Sequence, residues 1–280
     1  MKVLRREWFE VGRSSRFTVI PLGDVHLGNA ACDEAMFKRA VERIAEDDSC
    51  YWLGMGDYAD FINVTDPRFS ADSLASWIKM AHISDLAKAQ RDRFLDFVEP
   101  IAGRCLGLVE GNHERAIKKH YERDIYSDLV SGIKERGEFE PDHPLALGVC
   151  GWLNLSFYMG AEKPQRCRGI KVNVHHGFVG GRLAGAKALN MQRWLWSHDA
   201  DLVIFGHSHN AEAQVEAIEA ISGRRVIHKH RVGCFGGTFM NGAAYAIEKG
   251  YFPTPKTYTE IRLRPWAHQP RDRIRVIVSG

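Results

Sequence analysis

Aspartate, histidine and asparagine recur in this sequence in short clusters of the kind that bind transition metals. Asp24 and His26 stand two residues apart in the run Gly23-Asp24-Val25-His26-Leu27-Gly28. His207 and His209 share that spacing in Gly206-His207-Ser208-His209. On an extended segment, residues two apart project to the same side, so each pair can offer two donors to one ion. Asp57 follows Gly56, Asn112 follows Gly111, and His176 lies between His175 and Gly177. Carboxylate oxygen, amide oxygen and imidazole nitrogen together suit first-row divalent ions, not calcium alone. These donors exceed what one ion takes. Two ions about 3.5–4 Å apart would use them all, with one carboxylate shared. A water between such ions loses a proton near neutral pH and attacks phosphorus in line, while the ions neutralise the phosphate oxygens. A neutral amide such as Asn112 limits negative charge in the site and so favours an anionic substrate.

Taken singly, each cluster has a plain alternative. A lone Asp-x-His arises by chance, and a histidine at a strand end is usually a hydrogen-bonding loop residue. The specificity lies in the set. Apolar runs end in Gly23-Asp24, Gly56-Asp57, Gly111-Asn112 and Gly206-His207, and a fifth run ends at Val174 before His175-His176-Gly177. In open α/β sheets, ligands bind outside the carboxyl ends of the strands, so five such ends can converge on one rim.

The elements that must position these clusters are legible in outline. Phe17 to Leu22, Tyr51 to Leu53, Arg104 to Val109, Leu153 to Tyr158, Ile170 to Val174 and Leu202 to Phe205 read as strands. Met36, Phe37, Ala40, Val41, Ile44 and Ala45 recur at helical spacing behind Asp33, a plausible N-cap. The stretch from about Ser70 to Val98 has a helical pattern, as do Asp124 to Glu135 and Leu183 to Ser197. Residues from Ala211 to about Val232, and from Lys256 to Val278, alternate as strands do. Trp194 and Trp196 could stack bases, but their helical segment favours packing.

The chain has 280 residues, 45% hydrophobic and 26% charged, which is an ordinary globular balance for one large α/β domain. A formal net charge of +3 permits an anionic substrate without the strong basic signature of a dedicated nucleic-acid binder. The six cysteines form no CxxC pair and read as reduced thiols of a cytosolic protein. The N-terminal segment lacks an apolar core of signal-peptide length, and no apolar run spans a membrane. The expectation is a soluble cytoplasmic protein with no membrane partner; its oligomeric state is not legible.

The ordered motifs Asp24-x-His26, Gly56-Asp57, Gly111-Asn112-His113-Glu114, His176-Gly177 and Gly206-His207-x-His209 resemble the calcineurin-like metallophosphoesterase superfamily. The resemblance spans residues 24 to 209. It implies two packed mixed sheets flanked by helices, an αββα sandwich, with a dinuclear metal site at the C-terminal strand ends. It implies that Asp24, His26, Asp57 and His209 hold one ion, and that Asp57, Asn112, His176 and His207 hold the other. It implies that His113 protonates the leaving oxygen and that Asp60, in Gly56-Asp57-x-x-Asp60, is its partner, raising its pKa. The expected metals are two divalent ions, manganese first, with iron, zinc, nickel or cobalt as alternatives. Protein serine/threonine phosphatases of the superfamily follow the second aspartate with Arg-Gly, whereas Phe61-Ile62 follow Asp60 here. The run His175 to Arg182, followed by Gly185-Ala186-Lys187, looks more like bacterial and phage-type phosphoesterases grouped with DNA-repair nucleases.

Arg182, Lys187 and Arg115 are candidates for binding substrate phosphate, with solvated surface charge as the equal alternative. The functional expectation is a phosphodiesterase on DNA, RNA or a nucleotide-type diester. A phosphomonoesterase and a non-catalytic scaffold are the alternatives, and retention of every ligand candidate counts against the scaffold. The expected domain runs from 1 to 265 with a helical insertion at about 61–103, and a tail at 266–280 packs on it.

Overall fold

The computed structural model describes residues 1–66, 69–161, 166–177, 184–242 and 255–279. The chain is an α/β protein of two mixed sheets packed face to face between helical layers. One sheet, sheet A, runs β1 (Lys2–Trp8), β6 (Cys150–Tyr158), β7 (Cys167–His175), β8 (Leu202–Phe205), β10 (Arg225–Phe235) and β9 (Ala213–Ser222) in spatial order. The other, sheet B, runs β11 (Gly237–Thr238), β12 (Thr257–Leu263), β2 (Phe17–Leu22), β3 (Cys50–Gly54), β4 (Cys105–Val109) and β5 (Ala146–Gly148). The last strand, β13 (Ile274–Ser279), pairs antiparallel with β12.

Near-continuous apolar runs form the central strands because both faces of each are covered. In β2, Val19 faces the opposite sheet, while Ile20 faces the helices α1 (Glu34–Ala45), α3 (Leu86–Val98) and α5 (Ile125–Arg136). Trp52 and Leu53 of β3 divide in the same way. In sheet A, Ile204 joins the inter-sheet core, and Val203 packs on Met191 and Leu195 of α6 (Ala184–Ser197). The two sheets are therefore held by one continuous apolar layer, and the ends of their strands lie over each other.

Three elements depart from the pattern of the sequence. The stretch from Ser70 to Val98 is broken into a 3₁₀ turn at Ala71–Ser73, a single turn α2 (Met80–Ile83) and the long helix α3. Serine and aspartate at 70, 72, 73, 84 and 85 compete for backbone groups and favour caps over helix interior. Asp85 accordingly caps α3, accepting from the main-chain nitrogen of Lys88 at 3.0 Å. A helix α4 (Asn112–Tyr121) begins inside the Gly111-Asn112-His113-Glu114 motif, and its polar surface hides its period. Strand β1 is similarly masked, since Leu4 is its only buried residue. Among the described residues, no helix is long and apolar enough to cross a membrane.

Candidate metal centre

The five clusters sit at the carboxyl ends of β2, β3, β4, β7 and β8, with β2, β3 and β4 mutually parallel and β7 parallel to β8. The turns that carry them are strained. Asp24, His26, Asp57, His207 and His209 all hold positive φ, between 48° and 63°. That region is uncommon for residues with a side chain, and where it persists the surrounding structure enforces it. Gly56, at φ 88°, allows a close approach, because a Cβ there would stand 2.6 Å from the Gly111 nitrogen and 2.7 Å from His176 Nδ1.

Within this rim the side chains fall into joined groups. Asp24, His26 and His209 bring one donor atom each within 4.8 Å of one another, and so do Asp57, His176 and His207. His26 Nε2 lies 3.3 Å from His209 Nε2, and His209 Nε2 lies 3.6 Å from Asp24 Oδ1. In the second group, His176 Nε2 is 3.3 Å from Asp57 Oδ2 and 2.9 Å from Asn112 Oδ1. Asp57 Oδ2 also lies 3.9 Å from His26 Nε2, which places this carboxylate between the groups. All seven ligand candidates of the sequence are thus brought together.

Several remaining atoms of these residues are hydrogen-bonded, which aims their donors inward. His176 Nδ1 is 2.7 Å from the Met55 carbonyl oxygen, which fixes the ring so that Nε2 faces the rim. Asp24 Oδ2 accepts from the His207 nitrogen at 2.7 Å, and Asp57 Oδ1 accepts from the His113 nitrogen at 3.0 Å. Thr238 Oγ1 lies 3.2 Å from His209 Nδ1 and donates to the Asp24 carbonyl oxygen at 3.0 Å.

Charge shows what the rim lacks. Asp24, Asp57 and Asp60 are buried, and their only ion-pair partners among the described residues are histidines. Burial, opposed by His176 and reinforced by the Asp57 charge, pushes Asp24 up to about 8. Burial works against a charged His176 ring, yet the Asp57 carboxylate beside it raises it to about 10. His207 falls to about 4, through burial and then the His176 charge. Among the described residues, Asp24 Oδ1 and His26 Nδ1 are buried without a hydrogen-bond partner. Unpaired buried carboxylate oxygen facing imidazole nitrogens is the donor set a divalent cation satisfies, and it fits two such ions.

His113 and Asp60 occupy the margin, in a third group with His26. His113 Nδ1 is hydrogen-bonded to the main-chain oxygen of Asp60, while the Asp60 carboxylate stands 4.0 Å away. That carboxylate is nearer His26 Nδ1, at 3.4 Å, and accepts from Asn29 Nδ2 at 3.1 Å. The pairing of Asp60 with His113 therefore runs through the backbone, and its side chain turns toward His26. Burial opposes charge on His113, but the Asp57 and Asp60 carboxylates raise its pKa.

Of the phosphate-binding candidates, Lys187 is half-buried on α6 and donates to the Ser208 carbonyl oxygen at 3.0 Å, between His207 and His209. Arg115 is exposed on α4. Arg182 lies outside the described residues. Trp194 is a packing residue, stacked on His198 at 4.3 Å and donating to Asn173 Oδ1 at 2.7 Å.

One residue with a clear structural task escaped the sequence pattern. Glu114 is 0% exposed, and its carboxylate accepts from the main-chain nitrogens of Asp57 at 3.0 Å, Tyr58 at 2.9 Å and Gly111 at 2.8 Å. It pins the Asp57 turn to the Asn112 turn. The only signal was a glutamate beside the His113 motif residue.

No family model and no curated protein matches the chain. Among solved structures it is similar to a conserved uncharacterized protein of Streptococcus pneumoniae described as a predicted phosphoesterase, at 12% identity over 94% of this chain and 98% of that one, with a TM-score of 0.36. It is similar to a single mutant of Vps29 from Entamoeba histolytica, at 12% identity over 89% and 85%, with a TM-score of 0.35. It is also similar to the NAD nucleotidase of Haemophilus influenzae, at 7% identity over 94% of this chain and 49% of that one, with a TM-score of 0.37. Likenesses this distant carry no chemistry, which has to be read from the side chains.

Proposed function

We propose that the chain is a metal-dependent phosphoesterase, and within that class a phosphodiesterase acting on nucleic-acid or nucleotide-type diesters. The observation that supports it is the placement of Asp57 Oδ2 between two His/Asp groups, 3.3 Å from His176 Nε2 and 3.9 Å from His26 Nε2. Asp24, His26 and His209 would hold one ion and His176, His207 and Asn112 the other, with Asp57 shared. Divalent ions bound there supply Lewis acidity toward phosphate oxygens and lower the pKa of water.

The chain's own residues do the rest. The three buried carboxylates are matched by neutral donors at Asn112 and His207, so the rim stays receptive to an anion. Helix α4 opens at Asn112 and directs the positive end of its dipole there. His113, with Nδ1 engaged by the Asp60 carbonyl oxygen, keeps Nε2 to deliver a proton to the departing oxygen. Lys187 steadies the turn between His207 and His209. No arginine follows Asp60, which argues against a protein phosphatase.

The test compares bis-p-nitrophenyl phosphate with p-nitrophenyl phosphate under Mn²⁺, Ni²⁺, Zn²⁺ and Mg²⁺. The diester is expected to be cleaved faster, with Mn²⁺ giving the highest rate. A strong preference for the monoester would replace the diesterase reading by a phosphomonoesterase. No cleavage of either under any metal would overturn the enzyme reading in favour of a scaffold.

A further inference from the structure

The end of the sandwich remote from the metal ligands carries a second unsatisfied group of polar atoms. Strand β12 leaves sheet B at Leu263, which pairs with Phe17 at the start of β2, so the turn that follows lies at the opposite end from Asp24. Strand β7 begins at that same end with Cys167 and Arg168. Arg168 is the register partner of Phe157, an inter-sheet core residue, so its side chain leaves sheet A toward sheet B. There its guanidinium lies over Trp266, 5.5 Å from the ring centroid. Trp266 packs against the edge of the inter-sheet core.

Two donors in this corner are buried with no acceptor among the described residues: Trp266 Nε1 and Arg273 Nε. Neither Arg168 nor Arg273 forms an ion pair among the described residues. The nearby acid, Asp201, accepts with Oδ2 from the main-chain nitrogen of Lys171 at 2.8 Å. Burial and the neighbouring Arg168 charge hold the Arg273 guanidinium below its usual range, and Asp201 opposes this only in part. Arg264 and Arg271 are exposed on the same turn, and Arg264 is bound to Arg273 through the main chain, nitrogen to oxygen, at 2.8 Å. Beyond them Arg262 and Arg275 stand directly opposite in the β12–β13 ladder. There Arg262 already has a carboxylate partner, Glu260, at 3.4 Å.

Indole and guanidinium nitrogens only donate, so these three side chains supply no acceptor of their own. Leaving such donors unpaired carries a desolvation cost. A tetrahedral oxyanion supplies several acceptors at once, and the planar fork of arginine matches phosphate oxygens. We propose that Arg168, Trp266 and Arg273, flanked by Arg264 and Arg271, form a phosphate-binding site at the end of the sandwich opposite the metal centre. The phosphate is either a diester of a nucleic-acid backbone or free inorganic phosphate.

The readout is local: the indole N–H resonance of Trp266 in the full ¹⁵N-labelled, zinc-loaded chain, identified as the peak lost in Trp266→Phe. Inorganic phosphate at constant ionic strength is expected to shift that peak. Arg168→Ala, an exposed position, is expected to raise the concentration needed by about tenfold, the loss of one charge-assisted contact. Hydrolysis of a small model ester should be unchanged in both variants. A nuclease-resistant single-stranded oligonucleotide that shifts the peak at a lower phosphate concentration identifies the backbone as ligand; a shift with inorganic phosphate alone identifies the free ion. A peak unmoved by both, moved equally by chloride, or indifferent to Arg168→Ala overturns the site. Because the signal is read at Trp266, it holds or fails independently of what the metal centre cleaves.

Discussion

Asp57 and Glu114 grip each other's turns: the Asp57 nitrogen donates to Glu114 Oε2 at 3.0 Å, and Asp57 Oδ1 accepts from the nitrogen of His113, next to Glu114, at 3.0 Å. Three main-chain donors and no basic side chain satisfy the glutamate. Glu114→Gln would turn an amide NH₂ toward one of those donors. It is expected to cost about 1–3 kcal/mol in stability. Metal affinity should fall about 10- to 100-fold, as for other groups that orient a ligand. Thermal unfolding and calorimetric metal titration check this, and an unchanged affinity would reduce Glu114 to a packing residue.

Asp60→Asn separates two tasks. Its carboxylate is closer to His26 than to His113, while His113 is held by the Asp60 carbonyl oxygen, which the substitution keeps. The expected result is weaker binding of one metal equivalent, with the alkaline limb of the pH profile moved to lower pH, because the Asp60 charge also raises the His113 pKa. A shifted alkaline limb with full metal content would instead show that the carboxylate acts only through His113.

His113→Ala should lower turnover by about 10²- to 10⁴-fold, the usual range for a positioned proton donor, and leave two metal equivalents bound. Asp57→Ala should lose metal, because its carboxylate stands between both groups. Elemental analysis of the dialysed variants decides the matter; loss of one equivalent in His113→Ala would make that histidine a ligand.

Metal loading should release protons. In the metal-free chain Asp24 is raised to about 8 and His176 to about 10, so at pH 7 both carry a proton that a cation must displace. The sign follows: affinity rises with pH, until pH passes about 8 for the Asp24 share and about 10 for the His176 share. A titration in weakly buffered indicator at pH 7 should show about two protons released per chain. His176→Asn should release fewer, and no release from the parent chain would contradict the assignment.

Much of the rim was legible because each ligand type follows a glycine or a short apolar run, as in Leu53-Gly54-Met55-Gly56-Asp57. The core strands were legible for the same reason. What the pattern could not supply was direction. Whether Asp60 offers its carboxylate or its carbonyl to His113 depends on the left-handed turns at Asp57 (φ 51°) and Phe61 (φ 48°), and residue type alone does not predict them. Glu114 was silent because its partners are main-chain nitrogens, which leave no mark in sequence. The helical reading of 70–98 failed where serine and aspartate caps outweighed apolar spacing.

The candidate ligands do not belong to one sheet. Asp24, His26 and Asp57 stand at the ends of strands in sheet B, and His176, His207 and His209 at the ends of strands in sheet A. Each group draws on both: Asp24 and His26 with His209, Asp57 with His176 and His207. Cation binding here would act as a rivet through two plates that otherwise meet through an apolar layer and a few hydrogen bonds, such as Trp8 Nε1 to the Tyr51 hydroxyl and His207 nitrogen to Asp24 Oδ2. Sliding of one plate over the other would be arrested at this rim, so amide exchange in β8 and β2 should slow on loading in concert, as a single mechanical unit.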